Sequence, residues 1–132
     1  MNAIDKDSQK VFDKLVAGLA EPGEKGAYRK VDDGGAGIMA VHVEHYAPAV
    51  YSIAHTYIQN GDVMDDPSML FWLNPRDGRA YPFTFTQHSL GMDQESAEFV
   101  GGAPVRFAPR LQREHATFAS QWLRNIKQQQ GL

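Results

Sequence analysis

The chain has 132 residues, 42% of them apolar and 22% charged, with a formal net charge of −3. That size suits one domain over residues 1–132 with one core and no covalent staples. The absence of cysteine excludes disulfides, thiol catalysis and thiolate metal centres.

The opening segment, Met1 to Lys10, is polar and has no secretory pattern. Residues 5–20 read as a helix. Val11, Phe12, Leu15, Val16 and Leu19 form one apolar stripe, Asp5, Asp7 and Ser8 offer caps, and Glu21-Pro22-Gly23 provides the stop. Tyr28–Val31 suits a short strand. The following Asp32-Asp33-Gly34-Gly35-Ala36-Gly37 lacks the Lys-Ser/Thr ending of a phosphate loop and precedes a strand, so it reads as a flexible connection.

Residues 38–46 alternate as a strand, with Met39, Val41, Val43 and His45 on one face and His42 and Glu44 on the other. After a turn at Ala47-Pro48-Ala49, Val50–Ile58 is the next strand. Asn60, Gly61, Asp62, Asp65, Asp66 and Pro67 then make an exposed acidic loop. Met69–Leu73, the longest apolar run, belongs in mid-sheet and is far too short to cross a membrane. Asp77-Gly78 signals a two-residue hairpin turn, which would pair Trp72 with Phe83 and Leu70 with Phe85 on one sheet face. Residues 90–100 are ambiguous and allow one more strand; Gly101-Gly102-Ala103-Pro104 breaks it. From Pro109 to about Gln128 a long helix carries Leu111, His115, Phe118, Trp122 and Ile126 at helical spacing. The fold class is therefore α+β: an N-terminal helix, five or six mainly antiparallel strands, and a long C-terminal helix on the sheet.

Charge is uneven. Residues 106–132 carry five basic side chains and one acidic, a net +4; the preceding residues carry −7, which together give −3. Arg106, Arg110 and Arg113 fall near one face of the basic C-terminal helix, continued about three turns on by Arg124 and Lys127, and form a candidate binding surface for a charged partner. They also suit phosphate, but the acidic overall balance and the lack of a nucleic-acid motif make direct nucleic-acid binding an alternative rather than the first reading. Asn60, Asp62, Asp65 and Asp66 form a second candidate surface; the loop does not match a calcium-binding pattern. His42 and Glu44 share a strand face and His55 lies one strand away, a weak candidate metal set suited to zinc or iron. No nucleophile–base pair or nucleophile elbow is recognisable, so no catalytic residue and no cofactor is implied.

Two blocks carry a resemblance. Ala54-His55-x-Tyr57-x-Gln59-Asn60-Gly61-Asp62-x-Met64-x-Asp66-Pro67, and Leu111-Gln112-Arg113 followed by Phe118-Ala119-x-Gln121-Trp122-Leu123-x-Asn125-Ile126, resemble a family of small uncharacterised bacterial proteins encoded on plasmids and integrative elements, catalogued as a domain of unknown function. The resemblance runs from about Ala40 to the C-terminus and brings no catalytic residues with it. Asp65 departs from the basic residue expected there. The resemblance implies a bacterial, mobile-element context. The expectation is thus a cytoplasmic, non-catalytic accessory protein acting through a protein partner, with inhibition of host defence as one form and a homodimer allowed. A small metal-dependent enzyme using His42, Glu44 and His55 is the alternative from a different class.

Overall fold

Asp5 starts the first helix by accepting the Ser8 N–H at 2.9 Å, and α1 then spans Lys6–Val16. The computed structural model describes residues 1–132. Helix α1 is shorter than the apolar pattern suggested: Ala17 leaves helical geometry and Gly18 adopts φ +75°. Arg29 donates to the freed carbonyls of Leu15, at 2.6 Å, and Ala17, closing the helix end with a cation where the dipole favours one.

The strands follow in chain order: β1 Tyr28–Val31, β2 Val41–Ala47, β3 Val50–Gln59, β4 Asp62–Leu73, β5 Ala80–Pro82, β6 Thr84–Gln87, β7 Met92–Glu95, β8 Ala97–Val100 and β9 Ala103–Phe107. A single 3-10 turn, His88–Leu90, separates β6 from β7, and α2 closes the chain at Pro109–Gln130. The main sheet has seven antiparallel strands in the order β1-β2-β3-β4-β6-β7, with β5 also paired to β4; β8 and β9 form a separate hairpin. The α+β architecture agrees with the sequence reading, but the strand count is higher because residues 90–107 hold three strands where one was expected and the strand through Phe83 is split into β5 and β6.

Both helices cover one sheet face. Val11, Phe12 and Leu15 of α1 and Ala119, Trp122, Leu123 and Ile126 of α2 bury against Val41, Val43, Ile53, Met69, Phe71 and Phe85. Two buried glutamines brace α2. Gln112 accepts the Asn2 N–H at 2.7 Å and donates to the carbonyls of Asn2 (2.9 Å) and Pro82 (3.0 Å). Gln130 accepts the Asp33 N–H at 2.7 Å and donates to the Met39 carbonyl at 3.1 Å. The glycine segment, expected to be a flexible connection, is therefore stapled to the end of α2.

Two register expectations change. The Asp77-Gly78 turn belongs to a six-residue connection, 74–79, held by Asn74 Oδ1 on the Arg76 N–H and Asp77 Oδ1 on the Arg79 N–H. Trp72 consequently faces Tyr81 rather than Phe83. Next, Phe83 falls between β5 and β6. Its N–H donates to the Leu70 carbonyl at 3.0 Å, while the Leu70 N–H goes to Thr84 Oγ1 at 2.8 Å. A side chain has replaced a ladder bond, and the strand's parity switches across the irregularity. Phe85 joins the helix-side core, and Phe83 joins Val50, Trp72 and Ala97 in a second cluster on the opposite face, covered by the β8–β9 hairpin.

Candidate partner-binding groove

The acidic segment is not a loop. Asn60 (φ +52°) and Gly61 (φ +84°) make a two-residue turn, and Asp62, Asp65 and Asp66 lie within β4. Asp65 accepts a hydroxyl hydrogen bond from Ser68 at 3.3 Å and its N–H donates to His88 Nδ1 at 2.8 Å; Asp66 accepts from Ser89 at 2.9 Å. The Asp65 and Asp66 carboxylates each hold a local hydroxyl partner. At the hairpin tip, Ile58 and Val63 face each other and are exposed.

His42 and Glu44 share the sheet face opposite the helices. His55 pairs with Val41, on the helix side, so the three do not converge: Ala54, not His55, stands across from His42. Nowhere do three or more His, Asp or Glu side chains gather as a metal site. His42 instead lies between Tyr28 Oη, 2.5 Å from Nδ1, and Thr56 Oγ1, 3.1 Å from Nε2. Burial, reinforced by Lys30, lowers its pKa against the opposing pull of Asp65 and Asp32.

Arg106 was read with the C-terminal helix, but it lies in β9 and is ion-paired to Glu98 across the hairpin at 2.7 Å. Arg110 and Arg113 do lie on the exposed side of the first turns of α2, and neither has a carboxylate partner; the ion pairs are Lys30–Asp32, Arg106–Glu98 and Arg124–Asp5.

One constellation escaped the sequence reading. His115 Nε2 meets Gln94 Oε1 at 3.0 Å, so it carries the proton, and Nδ1 faces Ser96 Oγ at 2.7 Å. Ser96 Oγ also lies 3.2 Å from the Phe83 carbonyl. The order imitates a catalytic Ser–His relay, but Ser96 is only 1% exposed and the third member is a neutral amide. Burial pushes the His115 pKa down, against a weaker upward pull from Glu114. The group pins the β7–β8 junction to α2. Gln94 and Ser96 lie in the stretch without clear periodicity, where no spacing announced them.

An exposed apolar feature lies beside this junction. A groove of about 270 Å³ runs between β9 and the ends of β4 and β5, lined by Trp72, Tyr81, Pro104, Val105 and Phe107, with Arg106 at its rim. Val105 is 60% exposed and Phe107 42%. The β9 edge away from β8 has no partner strand. Trp72, 8% exposed, packs on Tyr81 and Phe99 with ring centroids 5.6 and 5.5 Å away. Its Nε1–H has no acceptor in the chain. A buried donor left without an acceptor costs about 1–3 kcal/mol, so an aromatic groove holding one is suited to an occupant that brings a carbonyl.

No helix is long and apolar enough to cross a membrane. No curated protein and no solved structure shows a significant match to the chain. Residues 10–132 match a family model described as Domain of unknown function (DUF6908).

Proposed function

We propose that this chain, which belongs to the DUF6908 family, acts without catalysis as an accessory protein that holds an extended, apolar segment of a partner protein in the Trp72 groove. The observation that carries this reading is the orphan Trp72 Nε1–H in a groove bounded by an unpaired strand edge. Extended peptides satisfy main-chain groups along such an edge and place alternate side chains in the adjoining pocket. Pro104 has no N–H, which shortens the available ladder and shifts recognition towards groove contacts. The uncompensated Arg110 and Arg113 at the start of α2 favour carboxylates flanking the apolar segment. The resemblance of two sequence blocks to proteins of plasmids and integrative elements supports a bacterial mobile-element setting and a cytoplasmic location as part of this reading. There, occupying a partner's strand would be a means of inhibiting a host defence protein.

The test selects short peptides from a displayed random library on the purified protein. The expected winners alternate apolar residues and carry flanking Asp or Glu. Their binding should weaken at least about ten-fold in Val105→Arg, equivalent to about 1.4 kcal/mol, and persist in Ile58→Arg at the distant hairpin tip. Failure to enrich peptides, or equal binding by both variants, would overturn the reading. A concentration-dependent dimer abolished by Val105→Arg would replace the partner with a second copy of the chain.

A further inference from the structure

A second cavity lies on the helix side of the sheet, far from β9 in the topology. It has a volume of about 250 Å³ and sits where the glycine segment, the β3–β4 register shift between Ala54 and Thr56, and the last turns of α2 meet. Its walls include Met39, Pro67 and Trp122; its polar side chains include His55 and Asp66. The walls are held in place: Gln130 bonds to Asp33 and Met39, and Gly34 packs so closely that a Cβ there would fall 2.7 Å from the Gln129 carbonyl.

His55 supplies the second observation. It is 95% buried, being 5% exposed. Trp122 Nε1–H donates to His55 Nδ1 at 3.2 Å, so in the neutral ring the proton sits on Nε2. That Nε2–H has no acceptor. Asp66 brings a carboxylate to the same cavity, and no Lys or Arg lines it. The charge pattern disfavours anions and suits a neutral molecule presenting an acceptor to His55 and a donor to Asp66.

We infer that this cavity binds a small, uncharged, planar amide or lactam, the chemistry of a nucleobase, with its carbonyl on His55 Nε2–H, its N–H on Asp66 and its ring against Trp122 and Pro67. The site is independent of the β9 groove, so either reading can fail alone.

The experiment titrates uracil, hypoxanthine and 2-pyridone into the full chain while following the His55 ring and Trp122 indole resonances by NMR. The expected result is saturable shifts at both residues for at least one probe. Met39→Trp, which adds bulk at the cavity from an exposed position, should weaken that binding about ten-fold or more. His55→Phe should do the same, with an unchanged spectrum elsewhere confirming that each variant folds. If no probe moves these resonances, if shifts map elsewhere, or if Met39→Trp leaves affinity unchanged, the inference is overturned. A crystal structure grown with the probes that shows only ordered water on His55 Nε2 would also overturn it.

Discussion

Trp122 and His55 are joined through the core by an indole N–H to imidazole Nδ1 hydrogen bond of 3.2 Å, which fixes the histidine as a neutral acceptor on that side. Protonating His55 would place a second proton between the two nitrogens, and burial opposes the charge as well. Burial is the main cause that lowers the His55 pKa, followed by His42 across the sheet; Asp66 pulls the other way.

A pH dependence of stability follows. His55, His115 and His42 all titrate below the 6.5 of the free side chain, each mainly through burial. Between the folded and unfolded values the unfolded chain binds more protons, so stability rises with pH there. The full contribution is present above pH 6.5 and is lost as the pH falls from 6.5 towards the folded values. Urea midpoints measured from about pH 7.5 down to about pH 5.5 should fall steadily, and His55→Phe should flatten the trend. An equal slope in that variant would show that the Trp122–His55 pair does not contribute.

Much of this was legible in the chain because single elements announce themselves. The stripe from Val11 to Leu15 with the cap at Asp5, and Pro109 in the first turn, place both helices; alternation places β2 and β3, and the apolar run Met69–Leu73 places only the second half of β4. What depends on pairing was not legible. The facing of His55 is set by the short connection at Pro48-Ala49, where Ala49 takes φ +60° and the register shifts between His45 and Ala47. The separation of Phe83 from Phe85 depends on Thr84 substituting its hydroxyl for a ladder carbonyl. Within the α2 stripe His115, Trp122 and Ile126 are buried as expected, but Leu111 is half-buried and Phe118 is exposed, and Gln112 and Gln130 occupy buried sites that the stripe did not include. A polar residue at a core position is invisible to a pattern that counts apolar side chains. The groove escaped for the same reason, since it is made by a hairpin lying in the least periodic stretch.

Gln112 is the clearest case of a buried polar side chain whose partners are all satisfied. Gln112→Ala would strand the Asn2 N–H and remove the donor from the Pro82 carbonyl, in addition to opening a void. The expected loss is about 2–4 kcal/mol, read from denaturant unfolding. Amide exchange should also rise at Asn2, whose N–H the glutamine accepts. A change below about 0.5 kcal/mol would mean the N-terminal segment is held by other contacts.

The glycine segment separates steric from conformational need. A Cβ at Gly34 would meet Ile38 Cγ2 at 2.5 Å and the Gln129 carbonyl at 2.7 Å, so Gly34→Ala must push the segment off α2. Gly35 has open space around it but adopts φ +81°, so Gly35→Ala meets only a backbone penalty. Expected costs are about 1–3 kcal/mol for the first and about 1 kcal/mol for the second. Only Gly34→Ala should also loosen the His55 cavity, seen as line broadening of the Trp122 indole signal.

Arg110 and Arg113 offer the sharpest separation between binding and folding. Both are exposed, lack carboxylate partners and sit where β9 hands over to α2. Replacing both with Glu should alter stability by no more than about 0.5 kcal/mol each, since surface positions without partners contribute little. Helix stability alone even tolerates an acidic residue in the first turn, where the dipole favours negative charge. A carboxylate-flanked segment in the Trp72 groove would feel the reversal strongly. For the wild type, affinity for selected peptides should fall as salt rises from about 0.05 to about 0.5 M, because exposed charges are screened beyond the Debye length. For the double variant, affinity should start lower and be flat or rise with salt. The outcome divides the readings of the basic segment. Lost salt dependence for peptides places the arginines at the rim of the groove. Retained peptide binding, with salt-sensitive retention on DNA that disappears in the variant, would assign them to phosphate contacts instead.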